Sequence, residues 1–166
     1  MSSRGDGLEE RVDSTVVAAA DEAIATAERA TPSAAEHLGK AWSVMYGRTP
    51  NHREAVDEAV RAVEAATEPT VTAEDFGTLS EVLRELDQDG RWVLPMSLEW
   101  GTSRRVTDPG PVLAGMVKTV WHGQGERHGS PTSATPVSSR EAETIVMTAV
   151  ALVHLFTAGL VRQATP

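Results

Sequence analysis

The amino-acid sequence predicts an all-α protein, a single bundle of six to seven helices without a β-sheet. Apolar residues recur at steps of three and four along most of the chain, which is the period of an α-helix. No long segment alternates apolar and polar residues as a half-buried strand does. Aromatic residues make up only 4% of the chain, whereas Ala and Val are abundant, and such small side chains suit closely packed helices.

The first two helices are separated by a proline. Residues 8–30 carry Val and Ala at helical spacing and predict the first helix. Pro32 is expected to end it, and Ser33 to cap the next helix, with Glu36 three residues on completing a capping box. We expect this second helix to end at Gly47. The predicted organisation is therefore an N-terminal helix in residues 1–32 and a helical bundle over residues 33–163.

The third and fourth helices carry similar start signals. Asn51 with Glu54 predicts the start of the third helix, and Pro69 its end. Residues 72–75 are expected to cap a fourth helix that runs to Gly90. The charged residues of the third helix are expected on its solvent-exposed side: Asp57, Glu58, Arg61 and Glu64.

The second half of the chain is less regular at first. A short helix is predicted around residues 96–100, followed by an exposed loop at residues 104–110. Pro111 is a favourable first helical residue and predicts a helix over residues 111–121. The last helix should begin at a cap of Ser138 or Ser139 and continue to about residue 161.

Composition narrows the functional classes. The 166 residues include no cysteine, which excludes disulfides, thiolate zinc sites and cysteine nucleophiles and favours a reducing compartment. Net charge is −9, with −11 in residues 1–90 and +2 in residues 91–166, so a polyanion would have to approach the second half. No secretory signal or run of about 20 apolar residues is visible, so we expect a cytoplasmic protein that does not span a membrane.

Residues that could transfer protons or bind phosphate are concentrated in one short stretch, the 121–129 segment. Its sequence is Trp-His-Gly-Gln-Gly-Glu-Arg-His-Gly. Histidine can exchange a proton near neutral pH, and the planar fork of arginine binds phosphate through two hydrogen bonds. Glycines allow a ligand to approach the backbone closely. The segment is therefore a candidate phosphodiester-handling site. The alternative is a helix C-terminus that glycines merely cap.

Other candidate sites are weaker. A metal site at His122, Glu126 and His128 has suitable ligand types, but the spacing matches no known metal motif, so neither a metal nor a cofactor is expected. His154 is expected to lie in the core or an interface. His37 and His52 are expected to make local contacts at helix ends. The four tryptophans are expected to anchor the core or a dimer interface: Trp42, Trp92, Trp100 and Trp121. Nucleotide-binding loops and hydrolase or zinc-protease motifs are absent from the sequence.

Several short motifs occur in a characteristic order over residues 34–160. They are His37-Leu38-Gly39-Lys40-Ala41-Trp42, Tyr46-Gly47-Arg48-Thr49-Pro50, Ala55-Val56, Ala62-Val63-Glu64-Ala65, Thr78-Leu79-Ser80-Glu81-Val82-Leu83 and Arg127-His128-Gly129 before a final helix rich in Ala and Val. In this order the chain resembles the HEPN superfamily, and more narrowly the C-terminal helical domain of bacterial abortive-infection proteins, which act in phage defence.

The resemblance implies an all-α bundle that forms a homodimer, often with a metal-independent ribonuclease site shared between two protomers. Active members carry an Arg that holds the scissile phosphate, then four to six residues, then a His that acts on the 2′-hydroxyl. His128-Gly129 matches the end of that motif. Arg127 adjoins the histidine instead, and residues 121–123 contain no arginine at the family spacing.

Two hypotheses follow for the function. In the first, the chain is a ribonuclease or toxin that acts on RNA, with His128, Arg127 and His122 as catalytic residues. The expected substrate contacts are then Gln124, Trp121 and Glu126. In the second, it is a catalytically inactive HEPN-like module for dimerisation or for binding a protein partner such as an antitoxin. A third, weaker reading is a sensor of a small ligand or nucleotide at the same helix end.

Overall fold

A computed structural model describes residues 12–71, 78–86, 92–95, 99–100, 103–104, 110–122 and 136–164. Within these residues the fold is the predicted all-α helical bundle, with six helices. They are α1 (Ser14–Ala30), α2 (Pro32–Tyr46), α3 (His52–Val71), α4 (Leu79–Leu86), α5 (Gly110–His122) and α6 (Ser139–Thr157). No helix in this described part is both long and apolar enough to cross a membrane.

Helix α3 is the centre of the bundle. It packs against α2, α4, α5 and α6, while α1 covers α2 and α6. Because neighbours surround it, α3 buries residues on most of its faces, and these are chiefly Ala and Val. The small side chains let the surrounding helices approach α3 closely, and close packing gives the dispersion contacts that stabilise a core without large aromatics.

Helix caps explain several of the boundaries. The Asn51 side chain accepts a hydrogen bond from the Glu54 backbone N–H at 3.2 Å, which confirms the predicted start of α3. Ser138 and Glu141 form a complete capping box at the start of α6. The predicted cap at Ser33 is wrong, because α2 begins at Pro32, where the missing N–H of proline costs no helical hydrogen bond.

One helix end also differs from the prediction. Pro69 does not end α3 but lies inside its last turn, two residues before Val71. Proline removes the hydrogen bond from its own nitrogen to the carbonyl four residues earlier, but only two helical residues follow it, so the loss does not interrupt a longer helix. The fourth helix is described from Leu79, and its predicted cap at residues 72–75 lies outside the described residues.

The expectation of no β-sheet is corrected by two short antiparallel pairs. Strand β1 (Trp92–Val93) pairs with β4 (Arg162–Gln163), and β2 (Glu99–Trp100) pairs with β3 (Ser103–Arg104). The prediction of a helix is therefore wrong for Glu99 and Trp100, which form a strand. Trp92 is buried, as expected of an anchor, and its indole N–H donates to the Glu85 carbonyl at 3.0 Å. Two-residue strands carry too little period-two pattern to be detected in sequence.

Helix α6 ends at Thr157, four residues before the predicted end, because Gly159 has a left-handed backbone with φ of +67°. Gly159→Ala is expected to lower the free energy of unfolding by about 1 kcal/mol, since a Cβ disfavours this conformation. Urea denaturation measures the change. Gly39→Ala is the matched control, because its Cβ would meet nothing within 4 Å inside α2. This control should be neutral or stabilising, and equal effects at both positions would contradict the prediction.

Candidate functional site

The structure describes two of the six predicted site residues. Trp121 and His122 form the last two residues of α5, and both are exposed. Their ring centroids lie 5.9 Å apart. The other four predicted residues lie outside the described part of the chain: Gln124, Glu126, Arg127 and His128. Trp121, 40% exposed, is therefore not a core anchor within this chain.

A second group of polar side chains, the Glu58 cluster, lies between α2 and α3. It consists of His37, Lys40, Glu54, Glu58 and Arg61. The Glu58 carboxylate is 2.7 Å from His37 Nδ1, 2.9 Å from Lys40 Nζ and 3.0 Å from Arg61 Nη1. Lys40 also pairs with Glu54 at 3.3 Å. Glu58 is only 3% exposed, so the cluster surrounds a buried carboxylate.

Helical spacing brings these residues together. His37 and Lys40 lie three residues apart on α2, and Glu54, Glu58 and Arg61 lie at steps of four and three on α3. Residues at such steps share one face of a helix. The short turn from Gly47 folds α2 back against α3, so that the middle of α2 meets the first half of α3.

The positive charges keep Glu58 ionised. Burial alone would raise its pKa, but the hydrogen bonds from Lys40 and His37 and the charges of Lys40 and Arg61 outweigh burial, so its pKa lies below the ordinary value. The pKa of Lys40 is raised, chiefly by its hydrogen bonds to Glu58 and Glu54. An ionised carboxylate has no proton to donate. The proton in the His37–Glu58 hydrogen bond therefore belongs to His37 Nδ1.

Sequence reasoning missed this cluster. It assigned Glu58 to a solvated face and His37 to a helix end, whereas Glu58 is buried and His37 lies inside α2. Glu64 is also only half-exposed, and its carboxylate accepts a hydrogen bond from the Leu79 N–H at 3.4 Å. One signal was present: Glu58 stands three residues after Ala55 and four before Ala62, within the apolar stripe of α3.

Tyr46 is a third polar feature, at the end of α2. Its hydroxyl is buried and has no hydrogen-bond partner among the described residues. Burial, followed by the negative charge of Glu143, raises the pKa of Tyr46 to about 12. Its ring packs against Trp42 with centroids 4.6 Å apart.

We expect Tyr46→Phe to raise the free energy of unfolding by about 1 kcal/mol, because a buried hydroxyl without a partner is costly. Thermal or urea denaturation measures this. Tyr46 is the single tyrosine of the chain, so absorbance titration of the wild type reports its pKa directly. A loss of stability in the variant, with an ordinary tyrosine titration, would mean that the hydroxyl is hydrogen-bonded in solution.

The remaining histidines stand apart from these groups. His52 is the first residue of α3, in agreement with its predicted place at a helix end, and His154 is half-buried on α6.

The described residues hold no cluster of three or more His, Cys, Asp or Glu side chains that could bind a metal ion. Helix α5 packs against α3, α4 and α6, whereas the Glu58 cluster lies between α2 and α3. The two candidate sites therefore belong to different helix pairs.

Comparisons with protein-family models, with curated proteins and with solved structures gave no match to this chain. A functional assignment consequently depends on the residues of the chain and on their chemistry.

Proposed function

We propose that this chain is a HEPN-like domain that cleaves RNA without a metal ion, with its catalytic site in the 121–129 segment. The observation that carries the proposal is the end of α5, where His122 and Trp121 are exposed and precede Arg127 in sequence by five and six residues. An exposed imidazole and indole at a helix end are accessible to a large substrate. The helical bundle is also the architecture that the family resemblance implies.

The chemistry assigned to the segment is transfer of the phosphodiester to the neighbouring ribose hydroxyl. His128 removes the proton of the 2′-hydroxyl, whose oxygen then attacks phosphorus. The bond to the 5′-oxygen breaks, and His122 donates the proton that this leaving group needs. Arg127 binds the non-bridging oxygens through its planar fork. The products are a 2′,3′-cyclic phosphate and a free 5′-hydroxyl, with no cofactor in the step.

Substrate contacts and assembly are part of the same proposal. Trp121 can stack on a base, while Gln124 and Glu126 can hydrogen-bond to base or ribose. Residues 91–166 carry a net charge of +2 against −11 for residues 1–90, so RNA should approach the half that contains this segment. We further propose that the chain acts in the cytoplasm as a homodimer whose protomers share the cleft, and that an antitoxin-like partner restrains it.

The direct test is RNA cleavage by the purified protein in the presence of a chelator. Cyclic phosphate ends from the wild type, and their loss in His128→Ala, are the expected results. Cleavage that continues unchanged in His128→Ala would overturn the assignment, as would a wild type that cleaves no RNA in any oligomeric state.

A second function is favoured by a specific feature of the segment. Residues 121–123 are Trp, His and Gly, so arginine is missing from the positions at which active relatives carry it. We therefore propose as the alternative a catalytically inactive HEPN-like module that dimerises or binds a protein. In that case, substitutions at Arg127 and His128 change assembly or stability and have no effect on RNA.

A further inference from the structure

His37 has the geometry of an oriented nucleophile. Its Nδ1 donates to the Glu58 carboxylate at 2.7 Å, and that carboxylate is ionised. In the neutral imidazole, the second ring nitrogen, Nε2, then carries the free lone pair and lies at the edge of the ring away from Glu58. The Glu58 side chain is 4% exposed, whereas the His37 side chain is 32% exposed. The carboxylate that holds the imidazole is thus buried, while the histidine itself is accessible from solvent.

Two cations share the Glu58 carboxylate with this imidazole. Lys40 Nζ and Arg61 Nη1 both bind Glu58 Oε1, while His37 binds Glu58 Oε2. The Lys40 and Arg61 side chains are 50% and 55% exposed, so each can present further N–H groups to a ligand at the surface. Ammonium and guanidinium groups are the usual partners of phosphoryl oxygens.

His37 differs in this respect from the other described histidines. Among the residues that the structure describes, it alone has a carboxylate within ion-pair distance of its ring. The ion pairs within the same part of the chain include none at His52, His122 or His154. Two features set His37 apart. Lys40 follows it by three residues on the same helix face, and the buried Glu58 carboxylate lies behind its ring. Together they suit a histidine that gains negative charge on Nε2.

We infer that His37 is a phosphoryl acceptor, which takes its phosphoryl group from a donor that carries it on nitrogen or on a carboxylate. Nε2 attacks phosphorus and forms a P–N bond. The bond from phosphorus to the donor atom breaks, and that atom leaves with the electron pair. Glu58 retains its hydrogen bond to the Nδ1 proton and balances the positive charge of the imidazolium that forms. Lys40 and Arg61 bind the oxygens of the transferred group.

Glu58 is a positioning residue in this step, because it acts through the ring of His37. By fixing the proton on Nδ1, it directs the incoming group to Nε2. Its loss should therefore change which nitrogen is phosphorylated, and a purely structural carboxylate would not have that effect. The inference does not depend on the proposed ribonuclease, since it involves different helices and a different reaction.

The test uses phosphoramidate as a small donor, and acetyl phosphate in a second arm for the carboxylate-linked class. Acid-labile phosphate is assigned to each histidine by fragmentation under neutral conditions, and phosphorus NMR distinguishes Nε2 from Nδ1. We expect His37 to react about tenfold faster than His52 or His122 of the same molecules, which corresponds to about 1.4 kcal/mol in the barrier. Reaction with phosphoramidate alone would restrict the donor to the nitrogen-linked class.

Glu58→Gln is the diagnostic variant. It should slow labelling of His37 about tenfold, which again corresponds to about 1.4 kcal/mol, and admit the Nδ1 isomer. Labelling of His52 and His122 should not change, and these residues report on the fold within the same sample. His37→Gln should lose only its own signal. If wild-type His37 is labelled no faster than His52 and His122, the inference is overturned. This comparison uses only the wild type and does not depend on whether a variant folds. An unchanged isomer pattern in Glu58→Gln removes the positioning role.

Discussion

His128→Ala is expected to cleave RNA about 10²–10⁴ times more slowly than the wild type, the usual contribution of a general acid or base. The alanine cannot accept the 2′-hydroxyl proton, so attack on phosphorus must depend on solvent. Initial rates on a fluorescent RNA, measured with a chelator present, give the ratio. Phosphate-end analysis of the products shows whether residual cleavage follows the same chemistry.

His122→Ala tests the second half of the same mechanism. If His122 protonates the leaving group while His128 deprotonates the nucleophile, the double variant should be little slower than the worse single variant, because residues that act as a unit are not additive. His52→Ala is the matched control, since His52 begins α3 and has no role in the proposed site. A wild type that cleaves no RNA, together with altered oligomer size in His128→Ala, would favour the catalytically inactive module.

Much of the fold could be predicted from the sequence because it depends on local rules. Helical periodicity located all six described helices, and the side chains of Asn51 and Ser138 identified two of their starts. Gly159 was itself a sign that α6 ends early, since glycine in the left-handed conformation is the commonest helix terminator. The apolar pattern of α6 continues to Val161, which is buried although it lies outside the helix.

The Glu58 cluster was less predictable because it depends on tertiary contacts. A glutamate in a helix is normally solvated, and nothing local indicates that cations from a neighbouring helix will cover it. Glu58 can be buried only because the turn after α2 brings Lys40 and His37 opposite it. The 121–129 segment shows the converse. Its residue types predict a chemistry, which stays a prediction because Arg127 and His128 lie outside the described residues.

Glu58→Ala is expected to lower the free energy of unfolding by about 2 kcal/mol, as for the loss of hydrogen bonds to a charged group. For a chain of this size the melting temperature should fall by about 4–8 °C. Glu58→Met should be closer to the wild type, because an apolar side chain of similar volume fills the space, and the former partners are exposed enough to regain water.

The pH dependence of stability provides a separate check on Glu58. Because the folded-state pKa is lower than the ordinary value, ionised Glu58 contributes stability above the unfolded pKa of about 4.5. This contribution should disappear as the pH falls through the folded-state pKa. Wild-type unfolding free energy should therefore decline more steeply on acidification below about pH 5 than that of Glu58→Met. Parallel profiles would mean that Glu58 has the same pKa in both states.

The partners of Glu58 should be less replaceable than Glu58 itself. Substituting both Lys40 and Arg61 by Met removes the two charges that keep the pKa of Glu58 low and leaves a buried carboxylate with only His37 as partner. Folding must then either bury that charge or protonate it, and both are unfavourable at neutral pH. This double variant should melt below Glu58→Met, and adding Glu58→Met to it should restore stability. Failure of the triple variant to recover would show that the two cations stabilise the bundle through contacts other than the Glu58 carboxylate.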